Sequence, residues 1–259
     1  MKNKSLIAVS LIVSILVSCK KEHDTLSGKI VPLIQSVTLR TTNIDNDSVI
    51  SFSEYQYDQN NRIASVKTTT NGIETRLTRY NYHNGGIIES ISEPLTDPEG
   101  VADTTIYTLN NKGEAVNELY IQPHSYREFS RIFDDSGFIV ESHVKITDRI
   151  ISGLPPYETT SFFTIENNNI MSARVEYPGG TSYIFYDYYT DKSNTVAREN
   201  MGITFLGKAS SNPVMETRFS HASYIIQNSY QFDEKNRIVR NDFSGPGTIP
   251  AIITYKYVE

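Results

Sequence analysis

From about residue 35 onward, apolar and polar positions alternate in short runs, and almost no stretch carries a helical period. Period-two alternation is the signature of half-buried strands. In YQYDQNNRIASV, residues 55–66, Tyr55 and Tyr57 fall on one strand face. Asp58 then opens a turn, because its carboxylate accepts hydrogen bonds from backbone N–H groups just ahead. Asn61 sits where a tight turn needs a left-handed residue. Ile63 and Val66 begin the return strand, so the stretch reads as a hairpin with a type I turn and a bulge. YQFDEKNRI, residues 230–238, repeats the unit near the other end of the chain.

Related units lie at 79–91 with Gly85 and Gly86, at 107–119 with Gly113, at 131–144 with Asp134 and Gly137, and at 162–175 with three asparagines. The early units recur about every 25 residues, which marks a repeated supersecondary unit. Each is one hairpin, and neighbouring hairpins pair edge to edge. The fold class is all-β: an antiparallel meander of serial hairpins forming a curved sheet, half-barrel or barrel. In the last strand, Ile253, Tyr255 and Tyr257 share a face. Residues 92–105 carry Pro94 and Pro98, and 148–160 carry Pro155 and Pro156. Both read as long connections, placing tight turns at one end of the sheet and irregular loops at the other. Residues 190–215 break the period and are read as a short helix or a functional loop.

The N-terminus changes the picture from a fold to an address. Lys2 and Lys4 precede an apolar run from Leu6 to Val17. The run is shorter than the roughly 20 residues of a bilayer span and fits a signal-peptide core. Leu16-Val17-Ser18-Cys19 resembles a bacterial lipobox, which implies cleavage before Cys19 and lipidation of its thiol. Cys19 is the single cysteine, so no disulfide framework is possible. The expected layout is a signal peptide over 1–18, a lipidated Cys19 with a tether over 19–34, and one all-β domain over 35–259. Lysine after Cys19 resembles the outer-membrane sorting pattern, and Lys21-Glu22-His23-Asp24 is similar to a surface-export signal. A periplasm-facing site and the cell surface both stay open.

Charge excludes one class of partner. The chain has 24 Lys and Arg against 30 Asp and Glu; removing Lys2 and Lys4 with the signal leaves 22 − 30 = −8. An acidic surface repels phosphate backbones, so no nucleic-acid partner is expected. Charges on both strand faces, as in Arg62 to Lys67 and Arg237 to Asp242, argue against a lipid-facing transmembrane barrel.

The motif Tyr57-Asp58 with Asn61-Arg62-Ile63, Phe133-Asp134 with Gly137, and Phe232-Asp233 with Asn236-Arg237-Ile238 resembles the tyrosine–aspartate repeats of large secreted shell-forming proteins. More closely, residues 35–259 resemble a family of Bacteroidota lipoproteins of unknown function, whose YD-like hairpins build a porin-like curved sheet. YDYYTDKSN followed by FLGKASSNP is similar to a late connection of that family. Leu109-Asn110 and Ile165-Glu166 depart from Tyr-Asp. The resemblance implies a fold and an address, and no reaction.

Candidate chemistry is sparse. The five histidines are scattered, without zinc-ligand spacing. Ser142 and Lys145 match Ser-x-x-Lys but fall on opposite faces of a strand. The acidic groups at Asp45 and Asp47, at Asp97 and Glu99, and at Asp134 and Asp135 lack a calcium-loop pattern. No catalytic residue, metal site or cofactor is expected. The densest feature is Tyr183, Phe185, Tyr186, Tyr188 and Tyr189. Alternation puts Tyr183, Phe185 and Tyr189 on one face and Tyr186 and Tyr188 on the other. Such a cluster serves as core or as a binding platform for glycan or protein. The functional expectation is a membrane-anchored, non-enzymatic binding or interaction module for a ligand, glycan or protein partner. The alternatives are a structural component of an envelope assembly and a glycan hydrolase built from two carboxylates.

Overall fold

The computed structural model describes residues 32–42, 47–97, 100–148, 155–220, 225–246 and 248–259. The expected signal peptide, Cys19 and most of the expected tether, with Asp45, Glu99 and His221, lie outside them. The described residues form sixteen strands: β1 (Ile34–Thr42), β2 (Ser48–Tyr57), β3 (Ile63–Thr70), β4 (Ile73–His83), β5 (Ile87–Pro94), β6 (Asp103–Leu109), β7 (Ala115–Ile121), β8 (Ser125–Phe133), β9 (Ile139–Asp148), β10 (Tyr157–Glu166), β11 (Asn169–Tyr177), β12 (Gly180–Tyr188), β13 (Val214–Phe219), β14 (Ile225–Phe232), β15 (Ile238–Ser244) and β16 (Ala251–Tyr257). Every strand pairs antiparallel with its sequence neighbours, and β1 pairs with β16 to close the barrel. Closure removes the unpaired edges that an open meander would leave. The strands begin at Ile34, one residue before the expected domain start.

The YD turn works as its sequence implies. Asp58 Oδ1 accepts from the N–H of Asn60 and Arg62, at 2.8 and 2.9 Å. Its Oδ2 accepts from Arg62 Nε at 2.7 Å. Asn61 has φ 58°, and the register shifts by a bulge between Gln56 and Tyr57. Asp233 repeats this set with Lys235 and Arg237. Arg62 then stacks on Tyr82 at 4.0 Å, and Arg237 on Tyr257 at 4.5 Å. Burial alone would raise the pKa values of Asp58 and Asp233, but hydrogen bonds from these arginines and the turn amides hold both below the ordinary value. Their stabilising contribution is present above the unfolded carboxyl range and is lost as pH falls through the depressed values.

The departure at residue 110 keeps the geometry and swaps the charges. Asn110 Oδ1 accepts from Lys112 and Glu114 N–H, while its Nδ2 donates to Glu114 Oε2 at 2.8 Å. An amide–carboxylate pair thus stands where the turns at Asp58 and Asp233 have carboxylate–guanidinium. Asn110→Asp is therefore expected to set two carboxylates together and destabilise the barrel by about 1–2 kcal/mol. Adding Glu114→Arg should recover most of the loss. A guanidinium there, just before β7, meets the new carboxylate and, as Arg62 before β3 meets Tyr82 on β4, the ring of Phe133 at the end of β8. Urea denaturation of the single and double variants checks this; equal losses in both would reject it.

Two expectations are corrected. Residues 189–213 join β12 to β13 at the tight-turn end, not at the end of the loops. They carry a 3-10 turn, Arg198–Met201, and fold inward. Part of the connection around Pro94 also belongs to strands, since Pro94 closes β5 and Asp103 opens β6.

Candidate functional site

Register sorts the strand residues onto two faces. Tyr55, Val66, Thr78, Ser92, Tyr107 and Glu118 share one face with Phe129, Val144, Phe163, Ala173, Ile184, Thr217, Tyr230, Asn241, Ile253 and Val37 through direct cross-strand pairing or next-but-one position. This face meets the inward-folded connection and is the lumen.

That connection is a plug that visits the hairpins in turn. Thr195 Oγ1 accepts from Ile238 N–H at 2.8 Å. Gly202 O accepts from Ile63 N–H at 3.1 Å, and Phe205 O from Ala115 N–H at 2.7 Å. Lys208 N–H donates to Gly137 O at 2.8 Å, and Ser211 N–H to Asn168 O at 2.9 Å. The path circles the tight-turn end and returns where Tyr189 N–H donates to Pro213 O. Phe205 fills the floor against Ile88, Tyr107 and Ala115, all buried. Gly202 has φ 70°, and a Cβ there would stand 2.6 Å from Ile63 N, so only glycine lets the plug approach this turn.

The tyrosines hold the same end together. Tyr57 OH donates to Ile34 O, Tyr82 OH to Ile63 O, Tyr188 OH to Ile170 O, Tyr230 OH to Val214 O, and Tyr257 OH to Ile238 O. In each case the hydroxyl at the end of an even strand closes a carbonyl at the start of the odd strand before it. A buried carbonyl without a partner is costly, so these contacts explain much of the tyrosine content.

Above the plug, the lumen wall has two halves. On β2 to β8 it is polar: Ser53 meets Thr68 at 3.2 Å, and Thr78 meets Ser92 at 2.9 Å. Arg76 Nη1 lies 3.0 Å from Asp103 Oδ2, which also accepts from Tyr120 OH at 3.0 Å. Glu118 pairs with Arg131 deeper in. Arg127 lies over Tyr120, with its buried Nε lacking a hydrogen-bond partner. On β9 to β16 the wall is largely apolar, with Val144, Phe163, Val175, Ile184, Phe243 and Ile253, each only half-buried. Inward apolar residues that stay half-buried mean that side chains do not fill the lumen. For a circular barrel, sixteen tilted strands spaced about 4.8 Å apart give a section roughly 30 Å across from backbone to backbone, from which the inward side chains of both walls are subtracted.

The outer face carries ion pairs along the strands: Arg79 with Glu93, Lys145 with Glu128, Arg218 with Asp187, and Arg240 with Asp242, and His143 lies 3.6 Å from Glu158. A membrane barrel needs an apolar outer band there. This exterior is charged instead. A shallow outer hollow of about 420 Å³ crosses β6 to β9, lined by Ile106, Leu119, Glu128 and His143, and its charged rim is committed to those contacts.

The predicted aromatic platform is divided. Tyr183 and Phe185 point outward, 43% and 42% exposed, with rings stacked at 6.4 Å. Tyr186 is buried on the lumen side, and Tyr188 clamps Ile170 O. Tyr189 differs from the expected alternation. It follows the end of β12 and a register shift at Asp187/Tyr188, so it turns inward, donates to Asn228 O at 3.1 Å and meets Tyr230 edge-on. The sequence reading missed the lumen's charged cluster. Its members, Arg76, Asp103, Glu118, Tyr120, Arg127 and Arg131, come from separate strands and share no motif. Among the described residues, no group of three His, Cys, Asp or Glu is placed to hold a metal ion.

No protein-family model matches the chain, and no curated protein matches it in sequence. Solved structures do match. The chain is similar to a porin-like protein from Bacteroides uniformis, with 11% identity over 87% of this chain and 98% of that chain and a TM-score of 0.59. A porin-like protein from Bacteroides vulgatus aligns over 87% and 99% at 10% identity, with a TM-score of 0.49. The likeness to the first is one of fold, and it agrees with the porin-like sheet expected from the turn motif.

Proposed function

We propose that this chain is an outer-membrane-anchored lipoprotein whose barrel stands in water and acts as a non-enzymatic binding or interaction module. The observation that carries the reading is a charged exterior around an unfilled lumen closed at one end. Pro32 and Leu33 leave the barrel at the plugged end, where Asn200 Nδ2 donates to Pro32 O and Val258 N–H to Leu33 O. A tether from Cys19 to Leu33 spans at most about 50 Å. Anchored there, the barrel turns its open mouth away from the membrane. The lumen carboxylates do not support a hydrolase. Asp103 and Glu118 lie four residue steps apart along β6 and β7, roughly 13 Å, beyond the range of a glycosidase pair. Each is also held by an arginine.

The test is labelling with a clickable fatty acid in cells, followed by proteolysis of intact cells, with Cys19→Ala as the control. Labelling lost in Cys19→Ala together with release from the membrane fraction is the expected result. Digestion of intact cells would place the barrel at the surface, and protection would place it facing the periplasm. A Cys19→Ala protein that stays membrane-bound would reject the anchor.

The exposed stack of Tyr183 and Phe185 favours a second reading, a contact with a glycan or with another envelope component. Crosslinking from a photoreactive residue at position 185 tests it; a yield no higher than from position 79 would reject it.

A further inference from the structure

We infer that the lumen binds an amphiphile: an aliphatic or aromatic body with an anionic head group. The inference rests on the binding-module reading and names its ligand class. The two wall halves carry it. A purely polar ligand would leave Val144, Phe163, Val175, Ile184, Phe243 and Ile253 half-buried against water, and a purely apolar one would desolvate the charged wall opposite. An amphiphile satisfies both halves at once.

Position sets the head group at the mouth. Asp103 opens β6, and Arg76 and Arg127 lie within the first few residues of β4 and β8. All three strands start at the end opposite the plug, so this cluster rims the opening. The deeper layers bring Tyr80, Tyr107 and the plug residue Phe205.

Charge sets its sign. The lumen-facing ionisable side chains of β2 to β8 among the described residues include Arg76, Arg127 and Arg131 against Asp103 and Glu118. Arg131 is spent on Glu118, and Arg76 on Asp103. Arg127 is the surplus cation of this wall; Asp148, the acidic residue on the same face at the mouth end of β9, stands one lumen-facing position beyond the Ile146 that pairs with Arg127 and is itself engaged by another group. The partner of Arg127 is the face of Tyr120 at 5.8 Å, and its Nε has no hydrogen-bond partner. A buried guanidinium donor left open is costly, and an anionic oxygen arriving at the mouth satisfies it through a charge-assisted hydrogen bond. Arg76, with a side chain 45% exposed, supplies a second donor fork.

The experiment is calorimetric titration of the processed full-length protein, held in nanodiscs, with empty nanodiscs as the blank. The probes are octyl sulfate, octyltrimethylammonium and octyl glucoside below their micelle concentrations, which share a tail and differ in head group. Octyl sulfate is expected to bind at least tenfold more tightly than the other two. Arg127→Gln should remove that advantage while leaving octyl glucoside unchanged; it gives up only the 5.8 Å contact with the Tyr120 ring, and an unchanged urea midpoint checks that the barrel is intact. Val175→Asp, in the apolar wall, should weaken all three probes. Arg79→Gln, on the exterior, should change none. Equal affinities for the three head groups would overturn the anionic assignment while leaving lumen binding in place. No heat from any probe would overturn the amphiphile class; the anchoring and crosslinking experiments decide the broader reading separately.

Discussion

Raising the pH through 11 is expected to unfold the barrel cooperatively. Eleven of its 17 tyrosines carry hydroxyls whose acidity is suppressed, in each case chiefly by burial. Tyr55, Tyr80, Tyr120, Tyr188 and Tyr257 are pushed up to about 12, and Tyr57, Tyr82, Tyr107, Tyr186, Tyr230 and Tyr255 higher still. Above pH 10 an unfolded tyrosine gives up its proton and a folded one keeps it. The unfolded state then binds fewer protons, so stability falls as pH rises. The contribution is intact below the ordinary tyrosine value near 10 and drains away toward about 12. Each well-buried site costs about 1 kcal/mol per pH unit in that window. Tyr57, Tyr82 and Tyr120, and the lumen-facing Tyr55, Tyr80, Tyr230 and Tyr255, which are only half-buried, are nearer to solvent, which screens them, and they contribute less. Over the window the set still reaches several kcal/mol, a large share of the stability of a domain. Tyrosinate absorbance and the β-sheet circular dichroism should therefore change together in one steep step. A gradual titration centred near pH 10 with the sheet signal preserved would contradict it.

The same tyrosines show how far the sequence could be read. The hairpin unit is legible because its determinants are local. Asp58, Asn61 and Ile63 fix a turn within six positions, and turn chemistry depends only on those neighbours. The alternation of Tyr55 with Tyr57, and of Ile253, Tyr255 and Tyr257 in the last strand, is legible for the same reason. Closure is not, because β1 meets β16 through residues some 220 positions apart, and no local pattern records that pairing. The plug is legible only as a break in the period. Its place inside the barrel depends on Gly202, Phe205 and Lys208 meeting the turns at Ile63, Ala115 and Gly137, contacts between segments with no shared motif. Strict alternation puts Tyr189 on the wrong side, because one register shift at the end of β12 reverses it. The charged mouth cluster escapes for the reason most lumen sites would. Each strand contributes one or two residues, and each of these alone reads as an ordinary polar position.

The plug also gives the barrel its floor, and Phe205→Ala is expected to weaken it most. Phe205 is 3% exposed, its ring lies 4.8 Å from that of Tyr107, and its carbonyl accepts from Ala115. Truncating a buried phenylalanine costs about 3–5 kcal/mol when the surroundings cannot collapse into the gap. Collapse is blocked here, because Ile88, Tyr107 and Ala115 sit on paired strands of a closed sheet. The neighbouring backbone contacts, at about 1 kcal/mol each, do not make up the difference. If plug and barrel unfold as one unit, the urea midpoint should fall by that amount with the slope unchanged. If the plug comes away first, residues 190–213 should become sensitive to protease at urea concentrations where the sheet signal is still intact. Phe185→Ala, on the exposed outer face, should shift neither reading by more than about 0.5 kcal/mol. A Phe205→Ala protein with the parent's midpoint and protease resistance would mean that the ring does not hold the floor, and that the polar contacts to the turns suffice.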